Sequence, residues 1–325
     1  MRQGSMPPRS LAKPGLSLNV QIIRMTMAAN QHLHDDPPIS YFDPAMSAAQ
    51  RALVRMVEYL TGQRRLKAVY ERFRADGGTP ELFWGEMLRR TGISLDVDEA
   101  ALATVPTEGP LLVVANHPYG LVDGLALCWL TSRVRCDFKL MINSVLVQAP
   151  ETRRHFLPLD FSGTAQAQAV NLQSRAAARS QLESGGALLV FPAGGISTSP
   201  DRLGRRPAMD APWQTFIGQL LQRSRCPVVL IFFEGQNSRL FQMASHMSAI
   251  LRLALMAGES RRRFGSRVGT IIGAPIPFQE LAGITDRIAL AAELCRRTYA
   301  MNGIDTTRDG VIVPWPRALQ ASPRN

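Results

Sequence analysis

Leu111-Leu112-Val113-Val114-Ala115-Asn116-His117-Pro118-Tyr119-Gly120-Leu121-Val122-Asp123-Gly124 is the stretch whose reading decides the architecture. Its first five residues form an unbroken apolar run of strand length, which reads as a buried strand. Asn116 and His117 follow at once, so an imidazole stands on a loop above the sheet edge. Pro118 and Gly120 suit a tight turn that brings Asp123 back toward the ring. Gly124-Leu125-Ala126-Leu127 then opens a helix, with Asp123 also placed to cap it.

Working outward, strands and helices alternate. Further strands are predicted at Phe138–Ile142, Ala187–Phe191, Val228–Phe233 and Val268–Ile272. Helices are predicted at Asp123–Ser132, Thr164–Ser184 and Pro212–Gln222, from a cap at Asn237 or Ser238 to about Ala257, and at Ile284–Asn302. Gly185-Gly186 stops the long alanine-rich helix before the next strand. Upstream, Leu53, Met56, Val57, Leu60, Leu66, Val69 and Tyr70 recur at helical spacing over Pro44–Arg74, with arginines among them, and a short helix is expected at Pro80–Thr91. The reading is an α/β fold, a mixed and mostly parallel sheet flanked by helices, preceded by an N-terminal amphipathic helical segment. Its divisions are a mobile extension over 1–43 with at most a short helix at Val20–Ala28, a helical membrane-proximal segment over 44–100, the main domain over 101–313, and a loose tail over 314–325.

Composition narrows the class. The chain has 325 residues, 46% of them hydrophobic, with a formal net charge of +11 and a sequence pI near 10.3. Lysine occurs only at Lys13, Lys67 and Lys139, so nearly all of the 37 basic residues are arginine. Such a charge suits an anionic membrane surface or acidic substrates; nucleic acid is disfavoured, because no aromatic-plus-basic motif accompanies it. No apolar run reaches the length of a transmembrane helix, and Met1–Gly15 lacks the apolar core of a signal peptide. Cys128, Cys136, Cys226 and Cys295 are scattered, with no metal-ligand spacing, and read as free thiols. His32, His34, His155 and His246 have no partner at useful spacing.

The pairing of His117 with Asp123 has a chemical reading. A neutral imidazole takes a proton from a hydroxyl acceptor, and a carboxylate on its other nitrogen fixes the tautomer and steadies the imidazolium. The acceptor alcohol is then the nucleophile, so no catalytic Ser or Cys is required. A second strand exit, Phe191-Pro192-Ala193-Gly194-Gly195, offers glycines whose loop N–H groups could face an oxyanion. Arg202, Arg205 and Arg206 follow it. Glu234 and Asn237 follow the strand Val228–Phe233 and are candidates for supporting roles. Gly-x-Ser-x-Gly is absent, which disfavours a serine hydrolase.

These motifs resemble those of the glycerolipid acyltransferase superfamily, which includes the lysophosphatidic acid acyltransferases. There Asn-His is followed by Asp after four intervening residues and, downstream, by Phe-Pro-Glu-Gly. Here Asn116-His117 and Asp123 match the first motif with one extra residue, and Phe191-Pro192-Ala193-Gly194 matches the second with alanine for glutamate. Phe156-Leu157-Pro158-Leu159-Asp160 stands where the family has Phe-Ile-x-Arg, and Cys226-Pro227-Val228-Val229 where it has a later proline-containing strand. The resemblance covers about Leu102 to Pro277, and its variant details are similar to a bacterial subgroup of hemolysin-like proteins and ornithine-lipid synthase O-acyltransferases.

The resemblance implies an O-acyltransferase. It would move a fatty acyl group from acyl-CoA or acyl carrier protein (ACP) to the hydroxyl of a lyso-lipid, with His117 as base and Asp123 as its orienter. Asn116, Gly120, Asp160, Phe191, Pro192, Ala193, Gly194, Gly195, Arg202, Arg205, Glu234 and Asn237 are the candidate substrate contacts, and no metal or cofactor is expected. The family's arginine and glutamate are linked to a glycerol-phosphate acceptor. Asp160 and Ala193 in their places reverse the charge and remove a phosphate fork, which favours a cationic or zwitterionic head such as an amino-acid lipid. The expected location is the cytoplasmic face of a bacterial inner membrane, peripheral or monotopic. A non-catalytic lipid-binding or hemolysin-like protein is the alternative, disfavoured because His117 and Asp123 are both present.

Overall fold

The computed structural model describes residues 63–146, 149–161, 164–308 and 310–319. The helix expected at Val20–Ala28, the first part of that expected from Pro44, and His32 and His34 lie outside these residues. Among the described residues seven strands form one sheet: β1 Ser94–Asp96, β2 Leu111–Ala115, β3 Phe138–Asn143, β4 Phe156–Leu159, β5 Ala187–Val190, β6 Val228–Phe233 and β7 Arg267–Ile272. Their order is β1-β7-β6-β2-β5-β3-β4. Strands β6, β2, β5, β3 and β4 run parallel, and β7 pairs antiparallel with β6 while β1 runs alongside β7. The sheet is mixed and mostly parallel, as the sequence implied.

Nine α-helices are described: α1 Gln63–Ala75, α2 Phe83–Thr91, α3 Glu99–Ala103, α4 Leu121–Ser132, α5 Ala165–Glu183, α6 Thr215–Ser224, α7 Arg239–Met247, α8 Ala249–Arg262 and α9 Arg287–Ala300. The central strands are apolar throughout because helices cover both faces. Side chains alternate along each strand. Leu111, Val113 and Ala115 of β2 join Leu189, Val229 and Ile231 in a core shared with Phe73 of α1, Trp84 of α2 and Leu127 of α4. Leu112 and Val114 face the opposite core with Leu188, Leu230, Leu182 of α5, Leu221 of α6 and Leu294 of α9. Leu112 is fully buried between these helices. Leu112→Ala is expected to lower the unfolding free energy by about 2–5 kcal/mol, read from the urea midpoint.

Three features differ from the sequence reading, each for a local reason. Strands β1 and β4 were not predicted. Both are edge strands, β1 of only 3 residues and β4 interrupted by Pro158, which an edge tolerates because no ladder need continue through its missing N–H. The helix expected from Ser238 to Ala257 is two helices, because Ser248 is extended (φ −162°, ψ 131°). Serine favours that conformation at a helix start, and its Oγ accepts from Leu251 N at 3.5 Å, opening α8. The chain after Pro314, expected to be loose, carries Trp315, whose ring covers Gly195 and faces Arg252.

Candidate active site

Strand β2 lies at the middle of the sheet, between β6 and β5, and its carboxyl end delivers the first motif. Asn116, proposed from sequence as a substrate contact, has its amide committed elsewhere. Nδ2 donates to Phe233 O at 2.9 Å and Oδ1 accepts from Phe233 N at 2.7 Å. This side chain prolongs the β2–β6 ladder by one step and fixes where the loop leaves the sheet. Asn116→Ala strands both backbone groups of Phe233 in a buried place and should cost about 1–3 kcal/mol in a denaturant titration.

His117 then stands against Asp123, its Nδ1 lying 3.1 Å from Asp123 Oδ2. The two atoms are in charge-interaction range but are not aligned as a hydrogen bond, and Asp123 Oδ1 has no hydrogen-bond partner among the described residues. Asp123 is fully buried at the third position of α4, where Oδ2 also accepts from the backbone N–H of Tyr119 (2.7 Å) and Gly120 (2.8 Å). The carboxylate therefore caps α4 and faces the imidazole at once. The His117 ring stacks on Phe191, with centroids 3.9 Å apart and planes 25° apart, so the two motifs meet at one point. Gly120 has φ +82°, and a Cβ there would stand 2.7 Å from Ile196 Cδ1. It is the hinge of the turn and also the place where the second motif's loop packs on the first.

Sequence reasoning missed the group that holds this loop. Asp210 is buried, and its Oδ1 accepts from Ser197 Oγ at 2.6 Å and from His117 N at 3.2 Å. Its Oδ2 accepts from Trp213 Nε1 at 3.0 Å, and its own N–H donates to Tyr299 Oη at 2.9 Å. Ser197 N in turn donates to His117 O at 2.8 Å, so the main chain of His117 is gripped on both sides. Burial pushes the Asp210 carboxyl above the usual carboxylate range, against the hydrogen bonds that pull it down. No motif marks Asp210 or Tyr299 in the sequence.

The second motif forms a turn at the end of β5. Gly194 has φ +77° and its N–H returns to Phe191 O at 3.0 Å; Pro192 O accepts from Gln214 N at 2.9 Å, and Ala193 is buried. Gly195 lies under Trp315, where a Cβ would come within 3.0 Å of the indole. The backbone N–H groups of Gly195 and Ile196 have no hydrogen-bond partner among the described residues, whereas their neighbours Gly194 and Ser197 do. Arg252 of α8 braces this loop from behind. It donates to Thr198 Oγ1 (2.6 Å), Ser245 Oγ (2.7 Å) and Ile196 O, between the rings of Phe241 and Trp315. Burial draws its guanidinium below the usual arginine range.

The remaining candidates sit along the same edge, farther out. Asp160, buried at the exit of β4, has its backbone N–H and C=O both paired with the Asn171 amide at 2.8 Å. Strand β4 is three places from β2, about 14 Å at the usual strand spacing. Arg202 and Arg205 are exposed on a loop wound around Asp201, whose carboxylate accepts from the N–H of Leu203, Arg205 and Arg206; these bonds hold it well below the usual range. Glu234 is exposed and lies over Gly269. Asn237 is buried, and its Oδ1 and Nδ2 have no hydrogen-bond partner among the described residues. His155 is a core residue, stacked on Phe138 and bonded to its carbonyl, and His246 bonds Ser199 O. Among the described residues no His, Cys, Asp or Glu cluster could hold a metal ion, and no helix is long and apolar enough to cross a membrane.

An acyltransferase family model matches residues 78–260. A lyso-glycine lipid O-acyltransferase of Bacteroides thetaiotaomicron is 27% identical over 191 residues, covering 56% of this chain and 66% of the relative. One of the same description from Phocaeicola vulgatus is 27% identical over 195 residues, covering 56% and 65%. The chain thus spans a little under two thirds of the length of either relative. The crystal structure of a 1-acyl-sn-glycerophosphate (LPA) acyltransferase, PlsC, from Thermotoga maritima aligns over 88% of this chain and 97% of that one, at 13% identity and a TM-score of 0.43. The family match takes in more than half of the sequence, including both motifs and the His117–Asp123 pair, and the chain belongs to the acyltransferase family, within the glycerolipid acyltransferase superfamily that those motifs implied.

Proposed function

We propose that the enzyme transfers a fatty acyl group from an acyl-CoA or acyl-ACP thioester to the hydroxyl of a lyso-lipid with an amino-acid head group. The observation that carries this reading is the His117–Asp123 pair, held 3.1 Å apart at the exit of the central strand. With Nδ1 turned to Asp123, Nε2 takes the proton of the acceptor hydroxyl as its oxygen attacks the thioester carbonyl. The unpaired N–H groups of Gly195 and Ile196 receive the oxyanion that forms. Collapse expels the thiolate, which takes the proton back from the imidazolium, and ester and thiol leave. Asp123 steadies the transient imidazolium throughout.

The acceptor class follows from chemistry at two positions. Asp160 and Ala193 replace the arginine and glutamate that the resemblance links to a phosphate acceptor, and both relatives are named for a lyso-glycine lipid. Thioester donors are made in the cytoplasm, so the reaction would run at the cytoplasmic face of the membrane. The test offers labelled acyl-CoA or acyl-ACP with lyso-ornithine lipid, lyso-glycine lipid or lysophosphatidate in vesicles. A diacylated amino-acid lipid formed at least tenfold faster than phosphatidate is the expected result. Preference for lysophosphatidate overturns the acceptor assignment, and absence of any acylated product overturns the reading as a whole.

A further inference from the structure

The loop 199–206 and the helices α7 and α8 carry a run of exposed apolar side chains. Leu203 is 52% exposed, Leu240 54%, Met247 71% and Leu251 45%. Leu240 and Met247 are seven residues apart, two helical turns, so they lie on one face of α7 about 10 Å from each other. Leu251 continues the run just past the break at Ser248. The loop rests on the same helix: a Cβ on Gly204 would stand 2.9 Å from Gln242 Cβ and 3.4 Å from Arg239 O, and Ser199 O bonds His246 Nε2 at 2.8 Å. The loop thus covers the side of α7 that carries Gln242 and His246, and Leu203, beside Gly204, is exposed at the border of the helix.

Arginines surround it. Arg202, Arg205 and Arg239 are exposed, and none of the three forms an ion pair among the described residues, whereas Arg133, Arg267 and Arg296 elsewhere on the surface each hold a carboxylate. The loop's own acid, Asp201, is enclosed by backbone N–H groups. Helix α7 follows β6, whose exit lies beside that of β2, and the loop departs from the main chain of His117 through Ser197. The apolar run and its cationic border thus adjoin the reacting edge of the sheet.

We propose that this surface docks on an anionic lipid bilayer. Leu203, Leu240, Met247 and Leu251 enter the headgroup layer, and Arg202, Arg205 and Arg239 meet the lipid phosphates. The assignment deepens the lipid-acceptor reading and rests on it for its purpose, and it gives Arg202 and Arg205, candidate substrate contacts by sequence, to the membrane surface. An isolated apolar run needs no partner; one bordered by uncompensated cations at the reacting edge fits a surface that is apolar below and negative above.

The test places an environment-sensitive fluorophore at Met247→Cys in the full chain, with the exposed Cys136 changed to Ser; Cys128, Cys226 and Cys295 are buried. Ile288→Cys, 64% exposed at the start of α9, is the control, on a helix that packs against α6 and β6. Phosphatidylglycerol vesicles should shift the Met247 probe to the blue and raise its intensity about threefold or more. Phosphatidylcholine vesicles should not, about 0.5 M NaCl should reverse the change, and the Ile288 probe should stay silent. Arg202→Glu with Arg239→Glu should weaken the titration at least tenfold. No change at 247, or an equal change at 288, overturns the proposal. So does a change given by holo-ACP in place of vesicles, or a probe already shielded before vesicles are added because residues 1–62 cover the site. His117→Ala should keep the vesicle response while losing turnover, so failure of the docking surface and failure of the catalytic reading are separately visible.

Discussion

His117→Ala should lower kcat for acyl transfer by about 10³-fold or more while leaving the urea midpoint nearly unchanged. Loss of a positioned base removes about 10² to 10⁴ in rate. The structural cost comprises the stack on Phe191, worth about 1 kcal/mol, and the contact of the ring with the buried Asp123 carboxylate. Asp123→Asn is the informative companion. The amide oxygen, set where the aspartate Oδ2 stands, still accepts from Tyr119 N and Gly120 N, so α4 remains capped, but the charge facing Nδ1 is gone. A fall in kcat of about 10²-fold or more with little change in stability would separate the electrostatic role of Asp123 from its capping role. Turnover of the His117 variant within tenfold of wild type, with the protein pure and folded, would sink the general-base assignment.

The second large effect is expected at Asp210. Asp210→Ala leaves three donors, His117 N, Ser197 Oγ and Trp213 Nε1, without their acceptor. At about 1–3 kcal/mol for each buried unsatisfied group, discounted for relaxation and water entry, the loss should reach about 3–5 kcal/mol. Activity should fall with it, because the main chain of His117 is released. Asp210→Asn keeps one acceptor but presents its amide donor to a second donor, so an intermediate loss is expected. Linkage adds a sign that a purely steric account would not give. Burial raises the Asp210 carboxyl, so the folded state holds that proton more tightly than the unfolded chain does. The wild type therefore gains stability from this group in acid and loses it as pH rises through the folded value. The stability difference between wild type and the Asn variant should shrink from about pH 4 toward neutrality, and a difference flat with pH would mean that the carboxyl is not shifted.

The sequence was readable where a signal is dense and local. Strands β2 and β6 were located to the residue, because a strand buried on both faces is written as an unbroken apolar run. His117 and Asp123 were readable as a pair because a single turn joins them. Edge strands offer no such run: β1 has only 3 residues, and β4 carries a proline that argues against a strand everywhere except at an edge. The break at Ser248 was hidden because the apolar spacing from Leu240 to Leu255 continues across it as one helix would. Asn116 illustrates a different limit. Its place in a motif invited a substrate role, but an amide at a strand exit can serve backbone geometry instead, and only the position of Phe233 distinguishes the two. Asp210, Tyr299, Arg252 and Trp315 reach the site from far along the chain as single residues in no pattern. Long-range contacts of that kind carry no periodicity to read.

Arg252 has a consequence for motion. One guanidinium ties Ile196 and Thr198 to Ser245 while Phe241 and Trp315 enclose it, so segments distant in sequence share a single fastener. A fluctuation that frees the loop after β5 must also pull Arg252 off α7 or lift the indole from Gly195. Such a loop does not fray on its own: its bonded amides, those of Gly194, Ser197, Thr198 and Ser199, should exchange with solvent at the rate set by the opening of α7, as one cooperative unit. Deuterium uptake at 194–199 and at 239–247 should then rise together on mild destabilisation, and removing the Trp315 ring should loosen both by the same factor.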